Sequence, residues 1–298
     1  MRPSLNQFIS DQRLRAIIQQ ARDEDLGPQA VDVTSKALIP ESMTATGVIR
    51  ARQPGRLCGL ALLQTVAQMY DPYLAVNCLL DDGDALVAGA AAAEIRGSLR
   101  SLLAMERVAL NFITHLSGIA TLTATFVEAI SATRAQICDT RKTVPGLRHL
   151  EKYAVACGGG ISHRRGLYDA VLIKDNHLTH LPTNQWQQAI RQAMAEARAA
   201  DPELKFVEIE VDRLDQLSAA LACEPDLVLL DNMTPTELAE AVALRDRIAR
   251  PVKLEASGGV TLDNVARVAA TGVDRIAIGA LTHSAPALDL GMDVGPEG

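Results

Sequence analysis

Between Cys138 and His177 the chain collects Arg141, Lys142, Arg148, Lys152, Arg164, Arg165 and Lys174, opposed only by Asp139, Glu151, Asp169 and Asp175. His149, His163 and His177 lie in the same stretch, half of the 6 histidines, while the whole 298-residue chain carries a formal net charge of −7. A basic island in an acidic protein costs self-repulsion unless something negative is meant to sit there. Its charges alternate with short apolar runs and with the triplet Gly158-Gly159-Gly160. That spacing suits strand ends and a loop around a compact anion; a charged helix face beside a flexible loop is the plainer alternative.

Further along, the residue types change. Glu210 and Asp231 are carboxylates that can hold ribose hydroxyls, a magnesium ion, or both; a structural salt bridge with a lysine is the competing use. Ser257-Gly258-Gly259 and Gly279-Ala280 can offer bare backbone N–H groups at helix starts, a cradle for a phosphate ester, or they are ordinary tight turns. Lys142 and Lys174 are two of only six lysines in the chain, and a lysine at such a site is a point charge for phosphate. Arg141, Arg164 and Arg165 suit a substrate with more than one carboxylate, because a guanidinium grips a carboxylate bidentately. No G-x-S-x-G motif supports a serine nucleophile, and no histidine spacing marks a metal centre.

The elements that must position these groups follow a rhythm. Apolar strands are expected at 135–138, 170–173, 206–211, 227–230, 252–256 and 275–280. Helical segments are expected at 184–199, 212–222, 235–249 and 261–270, three of them ended by Asp201-Pro202, Glu224-Pro225 and Arg250-Pro251. Strand–helix–strand at this spacing means parallel βαβ units. Without a G-x-G-x-x-G turn it favours a β/α barrel over a dinucleotide-binding sheet. In such a barrel the chemistry sits at the carboxyl ends of the strands. That rim reads Asp139 to Lys142, Lys174 to His177, Glu208 and Glu210, Asp231-Asn232, Glu255 to Gly259, then Gly279-Ala280.

Before the barrel, residues 5–21 have helical spacing and Glu24 to Ser35 reads as a turn-rich acidic loop. Residues 43–97 mix strands with one helix. A helix over 98–116 starts at Ser98 as N-cap, and a second helix follows Gly118 over 119–132. The composition excludes several classes. No basic stripe is interleaved with aromatics, which argues against nucleic-acid binding. The N-terminus is too polar for a secretory signal, and no apolar run approaches the ~18 residues of a membrane span. Five scattered cysteines with no C-x-x-C pair read as reduced thiols of a cytoplasmic protein.

With these residues laid out, the chain resembles the quinolinate phosphoribosyltransferases. The segments that carry the resemblance are EDLGPQAVDVTS, GLALL, MERVALNFITHLSGIAT, DTRKTVPGLRHLEKYAV, GGGISHRRGLYDAVLIKDNH, EIEVD, VLLDNM, LEASGGV and IAIGALTHS. The resemblance implies an α/β fold in two domains. An N-terminal α+β sandwich over 1–116 is joined by the tail 284–298, and a partly open β/α barrel with fewer than eight strands spans 117–283. It implies transfer of phosphoribosyl from 5-phosphoribosyl 1-pyrophosphate to quinolinate with loss of CO2, and magnesium bound with the pyrophosphate. It implies a homodimer, or a hexamer built from it, with Arg107 reaching the partner's barrel. Position by position, Arg141, His163, Arg164 and Lys174 match the quinolinate set, with Thr140 in the same loop. Lys142 matches the phosphoribosyl pyrophosphate side. Glu210 and Asp231 match the pair near the ribose and its magnesium, bound directly or through substrate and water; with Lys142 they are the catalytic candidates. Ser257, Gly258, Gly259, Gly279 and Ala280 match the 5′-phosphate loops. Three rivals remain: a relative acting on another pyridine acid, a Schiff-base lyase using Lys174, and a phosphate-binding protein without chemistry.

Overall fold

The structure is a computed structural model and describes residues 2–180, 182, 185–248 and 251–296. A 3-10 turn at Leu5–Gln7 precedes α1 (Asp11–Leu26) and α2 (Val33–Leu38). Then come β1 (Thr44–Ala51), β2 (Gly55–Arg56), α3 (Leu60–Tyr70), β3 (Ala75–Cys78), β4 (Ala85–Leu86), β5 (Ala91–Ser98) and α4 (Leu99–Ala129). The remainder runs β6 (Gln136–Cys138), α5 (Arg148–Cys157), β7 (Val171–Ile173), α6 (Asp175–Leu178), α7 (Trp186–Ala200) and β8 (Val207–Val211). It continues with α8 (Leu214–Ala222), β9 (Leu227–Asp231), α9 (Pro235–Ile248), β10 (Lys253–Ser257), α10 (Val265–Ala270), β11 (Arg275–Ala277), α11 (Ala280–His283) and β12 (Leu290–Pro296). The start of the helix expected over 184–199, the end of that over 235–249, Arg250 and the last two residues of the tail lie outside the described residues.

The chain forms two compact units. One comprises Met1–Ala124, Val144–Gly159 and Leu281–Gly298; the other comprises Thr125–Thr143 and Gly160–Ala280. The first unit holds an antiparallel sheet in the order β12-β1-β5-β3. Strand β1 buries alternate residues, Ala45, Gly47, Ile49 and Ala51, the period of a half-buried strand. The chain's end completes this sheet: β12 pairs with β1 from Ala45↔Pro296 to Ala51↔Leu290. Helix α3 buries Leu60, Leu62, Leu63, Val66 and Ala67, and Asp82 caps it by accepting from the Leu60 N–H at 2.9 Å and the Ala61 N–H at 3.2 Å. Residues 144–159, grouped with the barrel by sequence, belong to this unit.

Several local expectations change. The acidic loop over 24–35 is shorter than its composition suggests. Helix α1 extends to Leu26, and Asp32 caps α2 by accepting from the Thr34 and Ser35 N–H groups at 3.0 and 3.1 Å. The helix expected over 5–21 is a turn at Leu5–Gln7 followed by α1, whose N-cap is Ser10. The two helices expected around Gly118 are one, α4, and Gly118 lies inside it. That helix is long and apolar enough to cross a membrane by length and composition. Its apolar residues instead line the core: Leu102, Met105, Ala109, Ile113, Leu116 and Ile119 are buried.

The second unit is a six-stranded parallel sheet in the order β6-β11-β10-β9-β8-β7. From β7 to β11 each successive βα unit moves one place along the sheet, while β6, first in sequence, lies beside β11, so that β6 and β7 form the two edges. The barrel is therefore partly open, with six strands rather than eight. A single parallel bridge, Cys138↔Ile161, lies at the β6 edge. The last expected strand, 275–280, is confined to Arg275–Ala277; Gly279 is a turn residue and Ala280 begins α11.

Candidate active site

Period-two alternation sorts the barrel residues. In β8, Val207, Ile209 and Val211 face one side and are buried, while Glu208 and Glu210 share the other. The two glutamates differ in depth. Glu208 is fully buried, whereas Glu210 is one residue pair nearer the carboxyl end and retains 15% of its side-chain surface. Glu255 in β10 is also fully buried. The rim expected from sequence therefore loses Glu208 and Glu255: they lie in the barrel interior, below the ends of their strands.

Glu210 accepts an ion pair from the Lys174 ammonium, which caps the end of β7. In the next strand Asp231 stands opposite Ser257 of β10. The turn after β9 puts Asn232 in the left-handed region, φ 55°, with its N–H donated to the Ser257 carbonyl at 2.8 Å. Its Nδ2 donates to Asp231 Oδ2 at 2.8 Å. Gly258 follows with φ 92°, and a Cβ there would overlap Asn232 Oδ1. Glycine is thus required at 258 on two counts, conformation and space. Gly259 (φ 63°) faces open space, and its carbonyl is held by Asn264 Nδ2 at 2.9 Å. Gly279 follows Ile278, whose N–H donates to the Cys138 carbonyl at 2.9 Å. The 257–259 turn and the 279–280 turn therefore sit at the carboxyl ends of neighbouring strands β10 and β11.

The cationic wall is built on β6 and the irregular segment after Ile161. Fully buried Asp139 accepts from the His163 N–H at 2.9 Å and the Ser162 hydroxyl at 3.3 Å. Asp169 accepts from the Arg165 and Gly166 N–H groups at 2.9 and 3.1 Å, and Lys205 Nζ donates to it at 2.7 Å. Its carboxyl stays below the usual range despite burial, because Lys205 and those amides hold the charge. Between these anchors His163 and Arg164 are 6% and 8% exposed. Burial, then the neighbouring Arg141 guanidinium, pushes Arg164 below its ordinary value, against the pull of Glu208, Asp169 and Glu210. Arg141 Nε is buried and has no hydrogen-bond partner among the described residues. Thr140 Oγ1 accepts from the Lys142 N–H at 3.0 Å, and the Lys142 side chain is exposed.

Thus Arg141, His163, Arg164, Lys174, Glu210, Asp231 and the glycine turns all lie in one unit. Of these, Glu210 and Asp231 line a cavity of about 780 Å³, together with Asp175, Asp212, Arg213 and Trp186 among others. Arg107 lies in the other unit, exposed on α4, with no hydrogen bond or ion pair among the described residues. Arg148, Glu151 and Lys152, also part of the basic stretch, are on α5 in that same unit. Glu151 and Lys152 are fully buried, and Glu151 contacts the His115 ring at 2.9 Å and accepts from the Val144 N–H at 3.1 Å. Sequence reasoning placed Asn232 and Asp139 on the rim but gave neither a role in building the site. The signal for each was its place directly at a strand end, beside a glycine turn or a basic loop.

Residues 119–293 match the sequence model described as quinolinate phosphoribosyl transferase, C-terminal domain, and residues 32–117 match that of its N-terminal domain. The chain belongs to the quinolinate phosphoribosyltransferase family. Among its relatives is the nicotinate-nucleotide pyrophosphorylase [carboxylating] of Mycobacterium leprae, 44% identical over 283 residues, 94% of this chain and 96% of the relative. A probable enzyme of the same name from Bacillus subtilis is 39% identical, covering 91% and 90%. Solved structures of the family superimpose closely. The nicotinate-nucleotide pyrophosphorylase of Francisella tularensis has a TM-score of 0.87 at 35% identity, covering 99% and 100% of the two chains. NadC of Streptococcus pyogenes has 0.87 at 37%, covering 97% and 99%. Family membership accounts for the six-stranded barrel and for the separate sheet that the chain's end completes.

Proposed function

We propose that this enzyme transfers the phosphoribosyl group of 5-phosphoribosyl 1-pyrophosphate to quinolinate and releases CO2. The products are nicotinate mononucleotide and pyrophosphate, a step of de novo NAD biosynthesis. One observation carries the assignment of the pocket. Arg141 and Arg164 are held close enough to repel each other, in a place where burial already disfavours charge. Two guanidiniums kept together at that cost fit a ligand with two adjacent carboxylates, which would relieve both. Lys174, at the end of β7, is paired with Glu210 on the neighbouring strand.

The remaining roles follow from position. The 257–259 and 279–280 turns suit the 5′-phosphate, whose oxygens accept backbone N–H groups. Lys142, exposed on its loop, suits the pyrophosphate. Glu210 and Asp231 face a shared cavity and offer hard oxygen donors, a set that fits magnesium carried in with the pyrophosphate. When bound, the ion adds positive charge at the leaving group. As the pyrophosphate departs, positive charge develops at the anomeric carbon, and the carboxylates of Glu210 and Asp231 stabilise it. The pyridine nitrogen attacks that carbon with its own lone pair, so no general base is needed. Arginine clamps on the two carboxylates supply the proximity. The carboxylate next to the nitrogen then leaves as CO2, its bonding electrons pass into the pyridinium, and a proton takes its place. Arg107, exposed and without a partner among the described residues of its own chain, suits a homodimer, or a hexamer of such dimers, in which it reaches the neighbouring barrel. The reaction is one of cytoplasmic metabolism.

A Schiff-base role for Lys174 is disfavoured, because an ammonium ion-paired with Glu210 is not the free amine such chemistry requires. The test is direct. Incubation with quinolinate, 5-phosphoribosyl 1-pyrophosphate and magnesium should yield CO2 and the mononucleotide in equal amounts. Absence of CO2, or equal turnover of the monocarboxylate nicotinate, would overturn the assignment.

A further inference from the structure

Glu208 and Glu255 take no part in the chemistry above. Both are fully buried, and neither Glu208 Oε1 nor either oxygen of Glu255 has a hydrogen-bond partner among the described residues. A carboxylate in such a place costs several kcal/mol unless something specific faces it. Apolar residues are evidently compatible with the position: Leu227 and Leu229 of β9 stand at the register positions beside Glu208 and Glu255. The two acids therefore need an explanation other than core filling.

What faces them is one nitrogen. His163 Nε2 lies 2.8 Å from Glu208 Oε2 and 3.4 Å from Glu255 Oε1. The other ring nitrogen, Nδ1, accepts the Arg164 backbone N–H at 2.7 Å. An amide can only donate, so Nδ1 carries no proton and the ring proton is on Nε2, aimed at the two carboxylates. The ligand atoms of the three side chains lie within 4.8 Å of one another, a spacing a metal ion could occupy. The Nε2 proton fills that role instead, and the Arg275 guanidinium, 3.9 Å from Glu255 on the next strand, adds positive charge.

We infer that Glu208 and Glu255 are positioning residues for the dicarboxylate substrate: they hold the His163 ring in one tautomer and orientation, which fixes the backbone at Arg164 and hence where its guanidinium meets a carboxylate. The inference rests on the transferase reading above. The segment from Ile161 to Asp169 has no regular structure, so Arg164 depends on side-chain anchors. The bond from its own amide to His163 is the one nearest its Cα. Losing the acceptor at Glu208 frees the ring to turn and leaves that amide without a fixed partner.

Two measurements test this. In 15N spectra of the intact wild-type enzyme, His163 should show a pyridine-type Nδ1 and a protonated, pyrrole-type Nε2. The opposite tautomer overturns the inference with no variant required, so it stays refutable even if a substitution prevents folding. In steady-state kinetics, Glu208→Leu should raise the quinolinate KM about tenfold, the scale of leaving one buried N–H donor unpaired, while leaving the 5-phosphoribosyl 1-pyrophosphate KM within about twofold. Glu208→Gln, which keeps an acceptor oxygen of the same shape, should restore quinolinate KM to near wild type. An unchanged quinolinate KM in Glu208→Leu overturns the role. So does an equal loss for both substrates that glutamine does not rescue, since that is general damage. If the wild-type enzyme shows the Nε2–H tautomer but never turns over quinolinate, the transferase reading fails, and this role fails with it.

Discussion

At the scale of single residues, the decisive contest is between repulsion and recognition. Arg164 is buried beside Arg141 and pays for both burial and the like charge. Replacing it by methionine keeps most of the stem and removes the charge. The unliganded protein should then melt at the same temperature or higher, since a desolvated, repelled cation is gone. Quinolinate binding should weaken by about 10- to 150-fold, the equivalent of ~1.5–3 kcal/mol for a charged hydrogen bond. Calorimetry without ligand and a quinolinate titration read the two effects separately; a loss of stability with unchanged binding would reverse the assignment. These arginines were legible in the sequence because cations are conspicuous in an acidic chain. Glu208 and Glu255 were misplaced on the rim for a physical reason. Alternation tells which face of a strand a residue takes, but not how far below the strand end it lies.

At the scale of elements, α4 shows why a local rule failed. A glycine in mid-helix reads as a break, and Gly118 suggested two helices. In the folded chain a Cβ at 118 would overlap the carbonyl oxygen of Pro286 and crowd Ala287, so the glycine is there for a close approach between backbones. Two opposing effects can be compared. Gly118→Ala gains roughly 1 kcal/mol of helix propensity, but overpacking against a backbone atom costs about 1–3 kcal/mol. A backbone carbonyl cannot rotate aside as a side chain can, so the cost should prevail. The expected outcome is a lower melting temperature with unchanged helix content by circular dichroism; a rise in melting temperature would show that the contact relaxes freely. No reading of residues 98–132 alone could reveal this, because the partner is 168 positions away in sequence. By contrast the barrel strands and helices were legible within a few residues, since each strand–helix period is set locally by apolar spacing and by proline ends.

At the scale of the whole molecule, stability against pH and the sharing of sites between chains are the quantities to predict. Burial, then the neighbouring Glu208, pushes Glu255 from an ordinary 4.5 up to about 8. Between those values the folded chain holds a proton that the unfolded chain has lost. This contribution to stability is therefore full below pH 4.5 and falls as pH rises, until it is gone above about 8. Urea unfolding of wild type minus Glu255→Gln should show that decline across pH 5 to 8; a flat difference would mean that Glu255 is ionised in the fold. The sharing of sites rests on Arg107. It is exposed in the first compact unit, whereas Arg141 and Arg164 belong to the second. If the arginine serves a neighbouring chain, Arg107→Ala and Arg141→Ala proteins are each inactive, yet one kind of mixed dimer contains a site with both residues intact. Random reassortment makes half the dimers mixed, each with one good site of two, so about a quarter of wild-type activity should return. Recovery must require unfolding and refolding together, or slow exchange, and must be absent when the proteins are mixed without subunit exchange. No recovery after proven exchange would place Arg107 in the service of its own chain.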